Sequence, residues 1–155
     1  MPNKSARPFT IEKANLRDLF ALSALEKVCF EKDAWPLVEL MGVLSFPGVV
    51  RLRAVLNDKM AGFIAGEGRF NDQTGWILTL GVLPEYRRMG IAKALLAECE
   101  RRLKMPTVKL TVRCSNLSAI RLYEGLDYQR VDRLPRYYLD KEDGLVFAKT
   151  IEREA

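Results

Sequence analysis

The stretch Pro84–Leu96, PEYRRMGIAKALL, joins a strand-like run to a helical pattern. It holds no acid run for a metal and no Ser, Cys or His for a nucleophile. What it offers is a place for an anion. A helix N-terminus presents unpaired backbone N–H groups and a partial positive charge. Gly90 has no Cβ, so a ligand could approach the backbone closely there. Ala92 is nearly as small, Arg87 and Arg88 add positive charge, and Pro84 stiffens the strand exit. Together they would cradle a pyrophosphate. The same residues also fit an ordinary helix start with solvated arginines, and their chemistry alone leaves both readings open.

Composition narrows the chemistry further. The chain has 155 residues, 48% of them hydrophobic, enough for one domain over 1–155 with a real core. There is no histidine. That excludes Ser-His and Cys-His nucleophiles, an HExxH zinc site and an imidazole base. Proton transfer must then use Glu, Asp, Tyr, Lys, Cys, backbone or water. The three cysteines, Cys29, Cys99 and Cys114, lie far apart and form no CxxC, so neither disulfides nor zinc is expected. Cys29 and Cys99 read as core thiols on apolar faces. The net charge of +5 favours anionic ligands without choosing among them. MPNKSARPF carries no apolar h-region and no stretch approaches a membrane span, so a cytoplasmic, unprocessed protein with no membrane partner is expected.

The elements that must position the turn follow from periodicity. A short strand is expected over 8–12, then a helix over 15–30 capped by Asn15. Its Leu16, Leu19, Phe20, Leu25, Val28 and Cys29 recur at helical spacing. A shorter helix spans Leu37–Phe46, stopped by Pro47 and Gly48. Strand-like runs at Val49–Leu56, Met60–Glu67 and Thr74–Val82 predict an antiparallel meander, with NDK as its first hairpin. A helix over Ile91–Leu103 and a strand over 107–112 complete a right-handed crossover with two parallel strands. Asn116 caps a helix over Asn116–Glu124, which Gly125 would close in the left-handed conformation. Strands at Tyr128–Asp132 and Leu145–Ile151 end the chain. The order β-α-α-β-β-β-α-β-α-β-β predicts an α+β or mixed α/β fold.

Val82–Leu96, read as V-x-P-E-Y-R-R-x-G-I-A-x-x-L-L, resembles the coenzyme A signature of the GNAT N-acetyltransferase superfamily. The signature's core, Q/R-x-x-G-x-G/A, is Arg87 to Ala92 here. VRCSNLSAIRLYEGLDY, Val112–Tyr128, is similar to the downstream block in which an Asn and a Tyr stand seven residues apart, here Asn116 and Tyr123. CFEKDAW (29–35) and RYYLDKEDGLVF (136–147) are weaker echoes. The wording is closest to the branch that acetylates protein N-termini, such as ribosomal-protein alanine and archaeal N-terminal acetyltransferases. The resemblance implies a mixed, mostly antiparallel sheet, splayed between two parallel strands and flanked by about four helices. It also implies acetyl-CoA as co-substrate, without a metal.

Roles follow from the resemblance. Backbone N–H groups from Arg88 through Met89, Gly90, Ile91 and Ala92 to Lys93 would meet the pyrophosphate, with Arg87 beside them. The edge at Leu80, Gly81 and Val82 would pair with the peptide-like arm of the co-substrate and polarise its thioester carbonyl. Tyr123 would be the general acid, donating its phenolic proton to the departing thiolate. Read from the pattern alone, the same tyrosine on an amphipathic helix is core. Asn116 would both cap its helix and contact the co-substrate. Phe30, Trp35, Tyr137 and Tyr138 are candidates for binding the acceptor, or seals under long loops. The branch often carries a Glu at or just before the place of Thr111, which cannot serve as a base at neutral pH. Glu67 is the candidate replacement, with Glu31 behind it and a water chain as the alternative.

The expected activity is transfer of an acetyl group to a primary amine, a protein N-terminus first. A small-molecule amine, a polyamine or a lysine side chain is the nearest alternative. A non-catalytic CoA-binding sensor is the reading of another class. A nucleic-acid-binding domain ranks below these, because Arg87 and Arg88 already belong to the anion turn. A monomer or homodimer is expected.

Overall fold

The computed structural model describes residues 8–152. The strands are β1 (Thr10–Lys13), β2 (Val49–Leu56), β3 (Lys59–Arg69), β4 (Thr74–Val82), β5 (Thr107–Arg113), β6 (Gln129–Leu134) and β7 (Gly144–Thr150). The helices are α1 (Leu19–Phe30), α2 (Leu37–Ser45), α3 (Ile91–Leu103) and α4 (Leu117–Gly125). Short 3₁₀ turns lead into α1, link α1 to α2 and fill Pro84–Tyr86. The sheet runs in the order β1-β2-β3-β4-β5-β7-β6, with β4 and β5 as its parallel pair. This is the mixed, mostly antiparallel α+β arrangement that the sequence predicts.

Two apolar layers sandwich the sheet. On one face α3 sends Ile91, Leu95, Cys99 and Leu103 into a core shared with Leu52, Ile64, Val108 and Leu110, and α4 adds Tyr123. On the other face α1 and α2 place Leu22, Leu25, Leu40 and Val43 against Phe63 and Ala65. The helices bury one stripe each, as amphipathic helices on a sheet must.

Two expectations are corrected. Asn15 caps a 3₁₀ turn, Leu16–Asp18, closed by a reciprocal capping box with Asp18. The α-helix restarts its phase at Leu19. Leu16, Phe20 and Val28 therefore face outward, and the buried stripe is Leu22, Leu25 and Glu26. Gly125 remains helical; the left-handed residue is Asp127, at φ 71. The wider turn lets the Tyr128 N–H reach the Tyr123 carbonyl at 3.0 Å and drops Tyr128 into the core.

Candidate active site

The crossover splits the sheet. β4 and β5 pair only from Thr74↔Thr107 to Trp76↔Lys109. Beyond that β4 stays with β3, while β5 turns to β7. The Leu83 N–H bonds across to the Ala61 carbonyl at 2.9 Å, and Gly81 sits opposite Phe63. Strand groups alternate in direction, so the N–H groups of Leu80 and Val82 point away from β3, into the gap. The Val82 carbonyl on the same side accepts from Arg87 Nε at 3.1 Å and from the Cys29 thiol at 3.5 Å.

The gap opens into a cleft of about 560 Å³. The turn before α3 forms one wall. Arg88 and Gly90 both take left-handed backbone, at φ 64 and φ 82. That reversal delivers the α3 N-terminus to the cleft, and Gly90 accepts the conformation without the strain a side chain would bring. The cleft brings together Leu80, Gly81, Val82, Arg87, Arg88, Gly90, Ile91, Ala92 and Lys93 with Asn116, Tyr123 and Phe30. Three cationic side chains, a helix start and an unpaired strand edge suit a ligand with a phosphate end and an amide-bearing arm. The phosphate-binding and thioester-binding features of acetyl-CoA fit these residues.

Tyr123 reaches the cleft from α4, whose cap Asn116 accepts the Ala119 N–H at 3.2 Å. Its ring packs edge-on to Tyr128, with centroids 5.9 Å apart. Burial pushes its phenol up to about 12, so it stays protonated across ordinary pH.

Other predicted residues lie elsewhere. Met89 is not part of the cleft lining and is partly exposed. Glu67 is not brought to the cleft; it sits on β3 opposite Trp76, with Arg69 3.7 Å away. Thr111 lies on β5 beside Tyr137, where a Cβ on Gly144 would press on both. Trp35 packs on the α1–α2 core. Tyr137 and Tyr138 stack edge-on at 5.0 Å, and Arg113 lies 4.2 Å over the Tyr138 ring. Burial first, then the neighbouring Tyr137, lifts Tyr138 to about 12.

Arg113 went unnoticed in the sequence. From the end of β5 it binds Asp33 at 2.6 and 2.7 Å, Asp140 at 3.0 Å and Glu142 at 3.2 Å. Asp33 belongs to the turn after α1, and the other two acids belong to the β6–β7 loop. Those loops carry the aromatic candidates, so the arginine ties them into one rim. Cys29 is also corrected: it is half-buried and lines the cleft, unlike fully buried Cys99. Its place at the end of the Leu22–Leu25 stripe was the available signal. Among the described residues no cluster of His, Cys, Asp or Glu has metal-holding geometry, and no helix is long and apolar enough to cross a membrane.

A family model described as the acetyltransferase (GNAT) family matches residues 17–128. The chain is 28% identical to an N-alpha-acetyltransferase of Saccharolobus solfataricus, over 94% of this chain and 95% of that one. It is 30% identical to the N-terminal acetyltransferase A complex catalytic subunit NAA10 of Arabidopsis thaliana, over 92% and 78%. In structure it resembles the ribosomal-protein-S18-alanine N-acetyltransferase from Escherichia coli, with a TM-score of 0.82 and 27% identity over 95% and 96% of the two chains. With a signature turn, a split sheet and a family match over most of its length, the chain belongs to the GNAT family of acetyltransferases, acetyl-CoA-dependent enzymes that acetylate amines.

Proposed function

We propose that the chain moves the acetyl group of acetyl-CoA to a protein N-terminal α-amine, by direct attack in a ternary complex. One observation carries this reading. The Leu80 and Val82 N–H groups, the α3 N-terminus and the Tyr123 phenol all meet in a single cleft. The turn from Arg87 to Lys93 holds the pyrophosphate. The exposed N–H groups of β4 pair with the arm and polarise the thioester carbonyl, where negative charge develops during attack. The amine nitrogen forms the new bond to the carbonyl carbon as the carbon–sulfur bond breaks. Tyr123 gives its proton to the departing sulfur, and the proton that the attacking nitrogen sheds restores the phenol.

The acceptor assignment is supported by the names of the relatives and by proton chemistry. Among the described residues no carboxylate lines the cleft. An α-amine of pKa ~8 is roughly 10% neutral at pH 7, whereas a lysine of pKa ~10.4 is about 0.04% neutral. A cleft without an ionised base favours the amine that is already partly deprotonated. Phe30, Trp35, Tyr137 and Tyr138 border the acceptor's approach on the rim that Arg113 ties together. The enzyme acts in the cytoplasm as a single domain, a monomer or homodimer, on peptide rather than nucleic-acid partners.

The test is thiol release from acetyl-CoA with free N-terminal peptides, matched N-blocked peptides containing lysine, and polyamines. Turnover on free N-termini supports the reading. Turnover confined to blocked peptides or polyamines overturns the acceptor, and tight CoA binding without turnover on any amine overturns the transferase.

A further inference from the structure

Among the described residues Glu26 is the most buried acid, 1% exposed on α1. It stands one helical turn before Cys29, which lines the cleft. Packing here is close: a Cβ on Gly81 would stand 3.0 Å from Leu25 and 3.2 Å from Cys29. Glu26 therefore lies under the part of β4 that leads into the reacting edge. Its Oε1 accepts from the Thr79 hydroxyl at 2.9 Å, and its buried Oε2 has no partner.

A carboxyl with one unmatched oxygen in a dry site destabilises the fold. Its surroundings offer little relief. The elements packed on α1 present Leu40, Val43 and Leu44 from α2, Phe63 and Ala65 from β3, and Leu78 from β4. One turn on is the Cys29 thiol, raised mainly by burial, which also feels the charges of Glu26 and of Arg87 and Glu85 from the turn after β4. Burial lifts Glu26 to about 7; the Thr79 hydroxyl and the main-chain N–H of Trp35 pull the other way by favouring the carboxylate. The Thr79 contact bears on function, because Thr79 immediately precedes Leu80.

We propose that Glu26 is a positioning residue for acetyl transfer: its carboxylate holds β4 through Thr79, next to the reacting edge at Leu80, and transfer proceeds when it is ionised. Protonation removes the charge that the Thr79 hydroxyl binds and gives Oε2 a proton with no acceptor. The β4 edge then loses its tether to α1. This role rests on acetyl transfer in the cleft, not on which amine accepts.

The experiment is a pH profile of kcat at saturating acetyl-CoA, between about pH 5.5 and 9, with the best acceptor peptide. Beyond the loss that protonation of the acceptor amine imposes on native and variant alike, the native enzyme should lose about a further tenfold in kcat per pH unit below about 7. Glu26→Gln keeps an acceptor for Thr79 but cannot ionise; it should lose that limb, fall at least ~10-fold in kcat and keep the native affinity for CoA. Thr79→Val removes a donor that favours the carboxylate, so it should move the limb to higher pH. A merely structural role would lower Tm and leave the limb in place. Amide resonances of Thr79 and Leu80 supply a readout without turnover: they should titrate together near neutral pH, and not in Glu26→Gln. Turnover with an unchanged limb in either variant would overturn this role alone. Titrating amides with no turnover on any amine would overturn the acetyl-transfer reading and this role with it.

Discussion

Arg113 grips Asp33 with two parallel hydrogen bonds, Nε to Oδ2 at 2.6 Å and a terminal nitrogen to Oδ1 at 2.7 Å. The pair joins residues 80 apart in sequence and ties the turn after α1 to the end of β5. Planar, charge-assisted pairs of this kind fix orientation as well as distance. The guanidinium is only partly exposed, so water screens it less than a surface pair.

Arg113→Lys keeps the charge but loses the fork. It should raise KM for a peptide acceptor about tenfold, the factor that 1.4 kcal/mol carries, with CoA affinity unchanged. Hydrogen exchange at 31–36 and 135–143 should quicken together. A variant with native KM and protection would show that the rim does not position the acceptor.

Tyr123→Phe isolates the proton. The ring still packs against Tyr128, so fold and CoA affinity should hold. kcat should fall by about 10²–10⁴, the range for losing a positioned acid. Because burial lifts the phenol to about 12, the native enzyme should show no alkaline loss from this group below about pH 11. A Phe variant with native kcat would remove Tyr123 from the chemistry.

How much of this was legible depended on range. α3 is bounded by Gly90 and Lys104 and keeps strict helical spacing, so its ends at Ile91 and Leu103 could be read locally. The same holds for the turn and for Asn116 and Tyr123, which sit at short, fixed offsets. α1 was misphased because one cap residue started a 3₁₀ turn instead of an α-helix. The Arg113–Asp33 pair and the Thr79–Glu26 contact could not be read, since each joins residues more than 50 positions apart. Glu26 did carry a signal, an acid beside Leu22 and Leu25 on an otherwise apolar face.

Two glycines should fail for different reasons. A Cβ on Gly90 meets nothing within 4 Å, so Gly90→Ala costs only backbone strain at φ 82, roughly 1 kcal/mol. Relaxing that strain moves the α3 N-terminus, and KM for acetyl-CoA should rise with little change in Tm. A Cβ on Gly81 would press on Leu25, Cys29 and Phe30 at 3.0 to 3.3 Å. Gly81→Ala should therefore lower stability by about 1–3 kcal/mol, seen by urea unfolding, as α1 is pushed from β4. Equal effects from the two substitutions would contradict this division.

Glu26 also sets a stability trend of definite sign. Its pKa is about 7 in the folded chain, against an ordinary value of 4.5. Between those pH values the folded state keeps a proton that the unfolded state has released. Its contribution therefore favours folding at the acid end and is lost as pH rises through about 7, by on the order of 3 kcal/mol. Paired carboxylates such as Glu98, held near 2 by Arg101 and Arg102, act oppositely, but only as pH falls below their ordinary range. Glu26→Gln removes the titration and keeps an acceptor for Thr79. The Tm difference between this variant and the native chain should grow in the variant's favour from about pH 5 to 7.5 and then level off. A variant stabilised at neutral pH yet slower in turnover would show the site holding an ionised acid against the interest of the fold. A Tm difference that is flat with pH would mean that Glu26 does not ionise in this window.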